Sequence, residues 1–238
     1  IPGEAGWSLV AADYSQIELR VLAHLSCDPQ LIEAFRQDLD IHCSTASVIY
    51  GVPEGDVSPQ MRSAMKAINY GILYGMSAHG LSRELGIPHE QAAAFIEAYF
   101  ARYPKVRAFL DAQVQQAKRD GYVQTLLGRR RYIPEVNSPD PTVQQFGARM
   151  ALNAPIQGTA ADLIKRAMVQ VAAALESGRI ASRMVLQVHD ELVFETTRQE
   201  LNSLVRLVRR IMEGAIVLDV PLEVTIKVGP NWLDLSPV

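Results

Sequence analysis

The segment Arg183-Met-Val-Leu-Gln-Val-His-Asp-Glu-Leu-Val-Phe-Glu195 predicts a hairpin, because two strand-like runs flank an acidic turn, and the predicted fold class is built on it. A further apolar run near the start of the chain, Ser8-Leu-Val-Ala-Ala-Asp13, also ends in an acid. Burying an unpaired acid at the tip of a hydrophobic strand costs on the order of several kcal/mol, and a hard divalent cation is a natural partner. An Asx-type turn would explain Asp190 without any function. The pattern nevertheless favours the convergence of Asp13, Asp190 and Glu191 at a metal site.

The pattern between these two acidic regions is helical. From about residue 28 to 121, Asp28-Pro29 and Ser58-Pro59 have the composition of helix starts, and Gly51 and Gly121 that of helix ends. This part of the chain is therefore predicted to be all α.

The last hundred residues mix both types of element. The sequence predicts a short strand from Tyr122, a helix over 141–154 that stops near Pro155, a second helix over 159–177, the hairpin 183–195, a helix from Leu201 and a final strand over 222–228. The predicted fold class is α+β, with a small antiparallel sheet of about four strands, helices packed on it and a helical insertion.

Composition limits the class of protein. The 238 residues have 48% hydrophobic content and a mean hydropathy of +0.04, which is sufficient for a globular core in one domain or two joined ones. No window reaches the roughly 18 apolar residues that a membrane span requires. Cys27 and Cys43 are too few for a disulfide framework, and a net charge of −3 decides nothing about nucleic-acid binding. Because the chain starts at Ile1 and not at Met, we expect a piece of a longer polypeptide.

A row of side chains follows the segment 59–74. Arg62, Lys66, Tyr70 and Tyr74 recur every four residues, so a helix presents them as one slowly winding stripe. Cations followed by aromatic rings suit a ligand with a polyanionic end and a planar end. An amphipathic helix with a solvated basic edge and buried tyrosines is the alternative.

A second row has the same spacing. Arg149, Asn153 and Gln157 present donors and acceptors suited to phosphates, sugars and base edges. A polar helix face would also explain any one of them, but three in register next to Gly158 favour a function.

Together these motifs resemble the C-terminal part of the family A DNA polymerases, the bacterial DNA polymerase I type. Four stretches carry the resemblance, namely Asp13-Tyr-Ser-Gln-Ile-Glu-Leu-Arg20, Arg62-Ser-Ala-Met-Lys66 through Gly75, Arg149 through Asp162, and Val188-His-Asp-Glu191. Gly229-Pro-Asn-Trp232 is similar to that family's C-terminal segment.

The resemblance implies the fold of a right-hand polymerase without its thumb. Residues 1–30 would form the first part of the palm, 31–125 the helical fingers with a nucleotide-binding helix at about 59–74, and 126–238 the second part of the palm. Without a thumb, we expect weak, distributive activity.

The resemblance also implies roles for single residues. Asp13, Asp190 and the backbone carbonyl of Tyr14 would hold two Mg²⁺ ions, which Mn²⁺ is able to replace, and Glu191 would support them. The incoming deoxynucleoside triphosphate would contact Arg62, Lys66, His42, Tyr70, Tyr74, Gln16 and Glu18, with Lys66 as general acid and Glu18 excluding a ribose 2′-hydroxyl. Primer-template DNA would contact Gln16, Arg149, Asn153, Gln157 and His189.

The resemblance implies the function of a template-directed DNA polymerase module of the bacterial or phage type. We expect a cytoplasmic monomer that associates with the nucleoid and not with a membrane. Two other classes of function stay open from the residues. A metal-dependent nuclease would use the same acids without needing the stripe that begins at Arg62, and a non-catalytic nucleic-acid-binding relic would keep the row that begins at Arg149.

Overall fold

The computed structural model describes residues 2–4 and 6–238. The helices are α1 (Ile17–Ser26), α2 (Pro29–Arg36), α3 (Ile41–Tyr50), α4 (Pro59–Leu73), α5 (Ala78–Leu85), α6 (His89–Arg102), α7 (Pro104–Asp120), α8 (Pro141–Ser177) and α9 (Leu201–Glu213). Short 3₁₀ turns cover Glu54–Asp56 and Pro134–Asn137. The strands are β1 (Trp7–Tyr14), β2 (Tyr122–Gln124), β3 (Arg130–Tyr132), β4 (Arg183–Val188), β5 (Glu191–Thr197), β6 (Val224–Gly229) and β7 (Ser236–Pro237).

The chain divides into two compact units. Unit 1 contains Ile1–Ile17 and Ala160–Val238, and unit 2 is the uninterrupted segment Glu18–Thr159 between them. The predicted palm and fingers boundaries rest on the family resemblance and stay a prediction. None of the helices in the described ranges is long and apolar enough to cross a membrane.

Unit 1 is built on an antiparallel five-stranded sheet with the order β4-β5-β1-β6-β7. Strand β1 lies near its centre, and Val10 on β1 and Phe194 on β5 are fully buried. Helix α9 packs on β1 and β6 through Leu204, Val208 and Met212, which recur every four residues and are buried. The Tyr14 hydroxyl donates to the Met212 carbonyl at 2.6 Å, which ties the sheet to this helix.

Unit 2 is helical apart from the β2–β3 hairpin. Asp28 caps α2, and its side chain accepts the backbone N–H groups of Gln30 and Leu31. Ser58 caps α4 in the same way through the N–H of Met61, with Pro59 as the first helical residue. The predicted starts of both helices are confirmed.

The sequence was right about the fold class and wrong about two elements. The antiparallel sheet of an α+β fold is confirmed, but it has a fifth strand, β7, whose two residues are too few to give a pattern. The helices predicted over 141–154 and 159–177 are one helix, α8, with Pro155 inside it. Proline removes a single backbone donor. The helix continues past it because Ala151 and Ile156 on either side are buried, and because the Thr159 hydroxyl donates to the Pro155 carbonyl at 2.6 Å.

The two strands of the acidic hairpin differ in burial. On β5, Leu192, Val193 and Phe194 are buried, as the apolar run predicts. Strand β4 is at the edge of the sheet, and Val185 and Leu186 are exposed despite their hydrophobicity. The acids therefore project from the boundary between a buried strand and an exposed one.

Candidate active site

Three carboxylates meet at one end of the unit 1 sheet. Asp13, near the end of β1, pairs in register with Glu191, the first residue of β5, so both side chains lie on the same face. Asp190 occupies the turn before β5, where its carbonyl accepts the Tyr14 N–H at 3.3 Å. The side chains of Asp13 and Asp190 are close enough to share a hydrogen bond. The convergence predicted from the sequence is therefore present.

The three acids of this cluster lie close enough together to alter the pKa of Asp13. Burial, together with the negative charges of Asp190 and Glu191, raises the pKa of Asp13 to about 6 against the opposing effect of Lys227. Lys227 lies on β6 opposite Ala11, one pleat away from Asp13 on the same face. A carboxylate that resists ionisation in this way is stabilised by an added cation.

The backbone is unusual on either side of the cluster. Gln16 follows the end of β1 with a φ of 54°, and His189 precedes Asp190 with a φ of 52°. Left-handed conformations of this kind are uncommon for residues other than glycine and often occur at functional sites. The Gln187 side chain donates to the His189 carbonyl at 2.7 Å and holds the turn that presents Asp190.

The donor set fits a hard divalent cation. Asp13 and Asp190 would contribute carboxylate oxygens, and the neighbouring backbone carbonyls are oxygen donors of the type that Mg²⁺ prefers. Within the described ranges, no three side chains of His, Cys, Asp or Glu are grouped closely enough to hold a metal ion by themselves. Asp13 and Asp190 are the two acids whose side chains hydrogen-bond, and Glu191 acts on Asp13 through its charge.

Unit 2 groups its cations around His42. The Arg62 guanidinium forms an ion pair with Asp40 at 2.6 Å, and Asn69 donates to His42 Nδ1 at 2.8 Å. Burial, together with the positive charges of Arg62 and Lys66, lowers the pKa of His42 to about 4 against the opposing effect of Asp40. Histidine, arginine and lysine therefore lie close together, as a polyanion site requires.

The aromatic part of the stripe has two surroundings. The Tyr70 ring lies 6.0 Å from the His42 ring, inside the same group. Tyr74 is the C-cap of α4, and its hydroxyl donates to Glu18 Oε2 at 2.7 Å. The Gln157 side chain hydrogen-bonds to the same tyrosine. Three residues predicted from three separate motifs, Glu18, Tyr74 and Gln157, are thus joined in unit 2.

The second row lies on α8. The side chain of Arg149 packs against Gly75, where an added Cβ would lie 3.1 Å from the arginine Cγ. Asn153 has a buried side-chain oxygen without a hydrogen-bond partner in the described part of the chain. An unpaired buried amide oxygen is costly, so it is a natural acceptor for a ligand donor.

Sequence reasoning missed the residues that hold these groups in place. Asp40 pairs with Arg62, Asn69 with His42, and Trp232 donates to Glu191 Oε1 at 2.8 Å. The helix-capping position of Asp40, immediately before α3, was a visible local signal. Nothing in the sequence pattern links Asn69 to His42 or Trp232 to Glu191, because these pairs are distant in the chain.

The chain is similar to known proteins over nearly its whole length. The model of the family described as DNA polymerase family A matches residues 1–234. The chain is 54% identical over 230 residues to the thermostable DNA polymerase I of Thermus aquaticus, and 50% identical over 234 residues to DNA polymerase I of Bacillus subtilis. These alignments cover 97% and 98% of the chain, which spans only 27% of the length of either relative.

A solved structure is similar over almost the whole chain. It is the POL domain of Pol1 from M. smegmatis, in complex with DNA primer-template and dNTP. The TM-score is 0.93 at 49% sequence identity, and the match covers 96% of this chain and 41% of that one.

Proposed function

The chain belongs to DNA polymerase family A, and from that premise we propose that it is the catalytic module of a template-directed DNA polymerase. It extends the 3′-hydroxyl of a DNA primer with deoxynucleotides. The observation that carries the proposal is the pairing of Asp13 with Asp190 at the end of the unit 1 sheet. The M. smegmatis domain with primer-template and dNTP supports the same two partners for this chain.

The acids have the role of holding cations. Asp13, Asp190 and the Tyr14 carbonyl hold two Mg²⁺ ions, which Mn²⁺ is able to replace, and Glu191 supports the pair electrostatically. When bound, two such ions stabilise both the attacking and the leaving oxygens of a phosphoryl transfer. The raised pKa of Asp13 supports this assignment, since a cation relieves the repulsion from Asp190 and Glu191.

The cation group of unit 2 binds the triphosphate. Arg62 and Lys66 neutralise phosphate charge, and neutral His42 offers a ring N–H while Asn69 holds its other nitrogen. Lys66 also protonates the departing pyrophosphate, and the Tyr70 ring stacks beside the nucleotide. Helix α4 supplies three of these side chains from one face, which aligns them without further ordering.

Selection of the sugar falls to Glu18. Its carboxylate is held by the Tyr74 hydroxyl, so it presents a fixed obstacle to a ribose 2′-hydroxyl. Gln157 bonds to the same tyrosine and contacts the primer-template, together with Gln16, Arg149, Asn153 and His189. The unpaired oxygen of Asn153 supports a role in receiving a donor from DNA. We further propose that the protein acts as a monomer in the bacterial cytoplasm, at the nucleoid.

Single-nucleotide incorporation on a labelled primer-template tests this function. Asp13→Asn and Asp190→Asn are each expected to reduce incorporation by at least about a thousandfold, because each removes a charged ligand from the ion site. Asp219→Asn, which changes an exposed acid of the same unit, serves as the control and keeps activity. Degradation of the primer by the unaltered chain would instead indicate a nuclease. Binding to DNA with no chemistry at all would indicate a non-catalytic relic.

A further inference from the structure

The segment after β6 is a built loop that ends at the acidic cluster. Asn231 Oδ1 accepts the backbone N–H groups of Leu233 and Asp234, both at 2.9 Å, and its amide donates to the Asp234 carboxylate at 2.8 Å. At the base of the loop, a Cβ on Gly229 would collide with the Asp234 carbonyl, so the chain passes too closely for any other residue. Strand β7 then pairs with β6 and closes the loop.

This loop presents one side chain to the site. Trp232 Nε1 donates to Glu191 Oε1 at 2.8 Å, across 41 positions of sequence. Trp232 is 47% exposed, so this side chain is not part of the core of unit 1. Its specific contribution is the N–H, which occupies one oxygen of Glu191 and fixes the orientation of that carboxylate.

The hydrogen bond from Trp232 to Glu191 affects how many carboxylates can reach an ion at the site. Glu191 lies directly opposite Asp13 in the sheet, and such pairs have Cβ atoms about 4.5–5.5 Å apart. Its carboxylate could therefore join the Asp13–Asp190 pair, yet the described residues contain no group of three acids close enough to hold an ion. The restraint visible on Glu191 is the bond from Trp232.

We propose that Trp232 is a positioning residue that holds Glu191 apart from the Asp13–Asp190 pair, so that the C-terminal loop sets the number of carboxylates available to a divalent ion. The inference rests on the proposed function, since it concerns the ion site of that function. Without the indole N–H, Glu191 turns toward Asp13 and adds a third negative ligand.

Titration of the 238-residue chain with Mn²⁺, followed by the electron paramagnetic resonance signal of the free ion, tests this. Trp232→Phe keeps an aromatic ring and loses the donor, and we expect it to bind Mn²⁺ about three- to tenfold more tightly, because ion affinity rises with the charge of the ligand set. Unchanged or weaker binding would overturn the proposal.

Two further variants establish that the effect passes through Glu191. In a Glu191→Ala background, Trp232→Phe should leave the affinity for Mn²⁺ unchanged, since no carboxylate remains to be released. Trp7→Phe is the matched control, because this substitution makes the same chemical change elsewhere in unit 1. The Trp7 ring packs on Arg183, with 4.9 Å between the guanidinium and the ring centroid. An equal effect of Trp7→Phe, or an effect of Trp232→Phe that persists without Glu191, would contradict this role of the hydrogen bond from Trp232 to Glu191.

A second measurement does not require Trp232 to be replaced. The chain has two tryptophans, so Trp7→Phe leaves Trp232 as the one indole able to transfer energy to bound Tb³⁺. Sensitised Tb³⁺ luminescence is expected from this variant and is lost on Asp13→Asn. Absence of sensitisation from a chain that binds Tb³⁺ would overturn the placement of Trp232 at the ion site.

Asp13→Asn also separates this inference from the proposed function. If Asp13→Asn binds Mn²⁺ as well as the unaltered chain does, the ion site itself is wrong and both proposals fail. If Asp13→Asn weakens binding while Trp232→Phe changes nothing, the ion site stands and the role of Trp232 alone is refuted.

Discussion

At the scale of single residues, the Arg62 guanidinium already has an anionic partner. Asp40 binds it at 2.6 Å, and both side chains are between two-fifths and one-half exposed. Burial acts to raise the pKa of Asp40, but the hydrogen bond and charge of Arg62, together with the backbone N–H groups of His42 and Cys43, outweigh it and the net pKa is lowered. A triphosphate therefore competes with a carboxylate for the charge of Arg62.

Replacing Asp40 with Asn should release Arg62. Asparagine caps a helix about as well as aspartate, so α3 keeps its start, while the competing charge is removed. We expect the dissociation constant for an incoming deoxynucleoside triphosphate to fall about two- to fivefold at low salt, since exposed ion pairs are worth up to about 1 kcal/mol. Stopped-flow titration of the chain bound to primer-template measures it. Weaker binding in Asp40→Asn would show instead that the ion pair orients Arg62 for the phosphate.

His42 gives the stability of the chain a pH dependence with a defined sign. Its ordinary pKa of 6.5 applies in the unfolded chain, and burial lowers the folded value to about 4. Between these values the unfolded state binds a proton that the folded state does not. The contribution of His42 to the free energy of unfolding is therefore fully present above pH 6.5 and is lost as the pH falls toward 4.

Substitution of His42 isolates this contribution. His42 is 2% exposed, and its shift corresponds to at most about 3 kcal/mol of unfolding free energy between pH 7 and pH 4. Urea unfolding should show a shallower acid loss in His42→Gln than in the unaltered chain, whereas substitution of the exposed His79 by Gln leaves the profile unchanged. Parallel profiles for all three proteins would contradict the assignment.

At the scale of elements, the long helix α8 depends on close contact at a glycine. An added Cβ at Gly147 would collide with the backbone nitrogen of Val136 and lie 2.7 Å from the carbonyl carbon of Glu135. The 3₁₀ turn Pro134–Asn137 therefore packs directly against the helix backbone. Backbone atoms cannot move aside as a flexible side chain would.

Gly147→Ala is expected to lower the free energy of unfolding by about 1 to 3 kcal/mol, the range for overpacking a tight contact. Alanine has the better helix propensity by up to about 1 kcal/mol, but the collision outweighs that gain. Gly55→Ala is the matched control, because no atom lies within 4 Å of its added Cβ. Chemical denaturation compares the two variants, and a Gly147→Ala protein as stable as the control would place the helix and the turn further apart.

At the scale of the whole molecule, the net charge of the chain does not favour binding to DNA. Its net charge is −3, so affinity for a polyanion depends on a few local cations such as Arg62, Lys66 and Arg149. A small number of phosphate contacts gives a low affinity for DNA, and this affinity depends only weakly on salt concentration.

The 238-residue chain assayed alone should therefore be distributive. At about 0.15 M salt, we expect extension by only a few nucleotides for each encounter with a primer-template, because the complex dissociates between additions. Primer extension in the presence of excess unlabelled trap DNA measures this directly. Long products from a single encounter would show that the phosphate contacts of the chain suffice for processive synthesis.

The local features of this protein could be predicted from its amino-acid sequence. The apolar runs ending at Asp13 and flanking Asp190, and the caps at Asp28 and Ser58, follow from periodicity and turn chemistry, which involve neighbouring residues only. The two rows that begin at Arg62 and Arg149 were visible from their spacing in the same way, whereas roles for Gln16, Glu18 and His42 came only from the family resemblance.

The contacts that these residues make with one another depend on the tertiary structure. Register in the sheet places Asp13 opposite Glu191, and the closing loop brings Trp232 to the same carboxylate. Packing on both sides carries α8 through Pro155, where sequence pattern predicted an end. Each of these outcomes depends on contacts between segments far apart in the chain, and such contacts are selected by the burial and hydrogen bonding of the folded units, which no local pattern encodes.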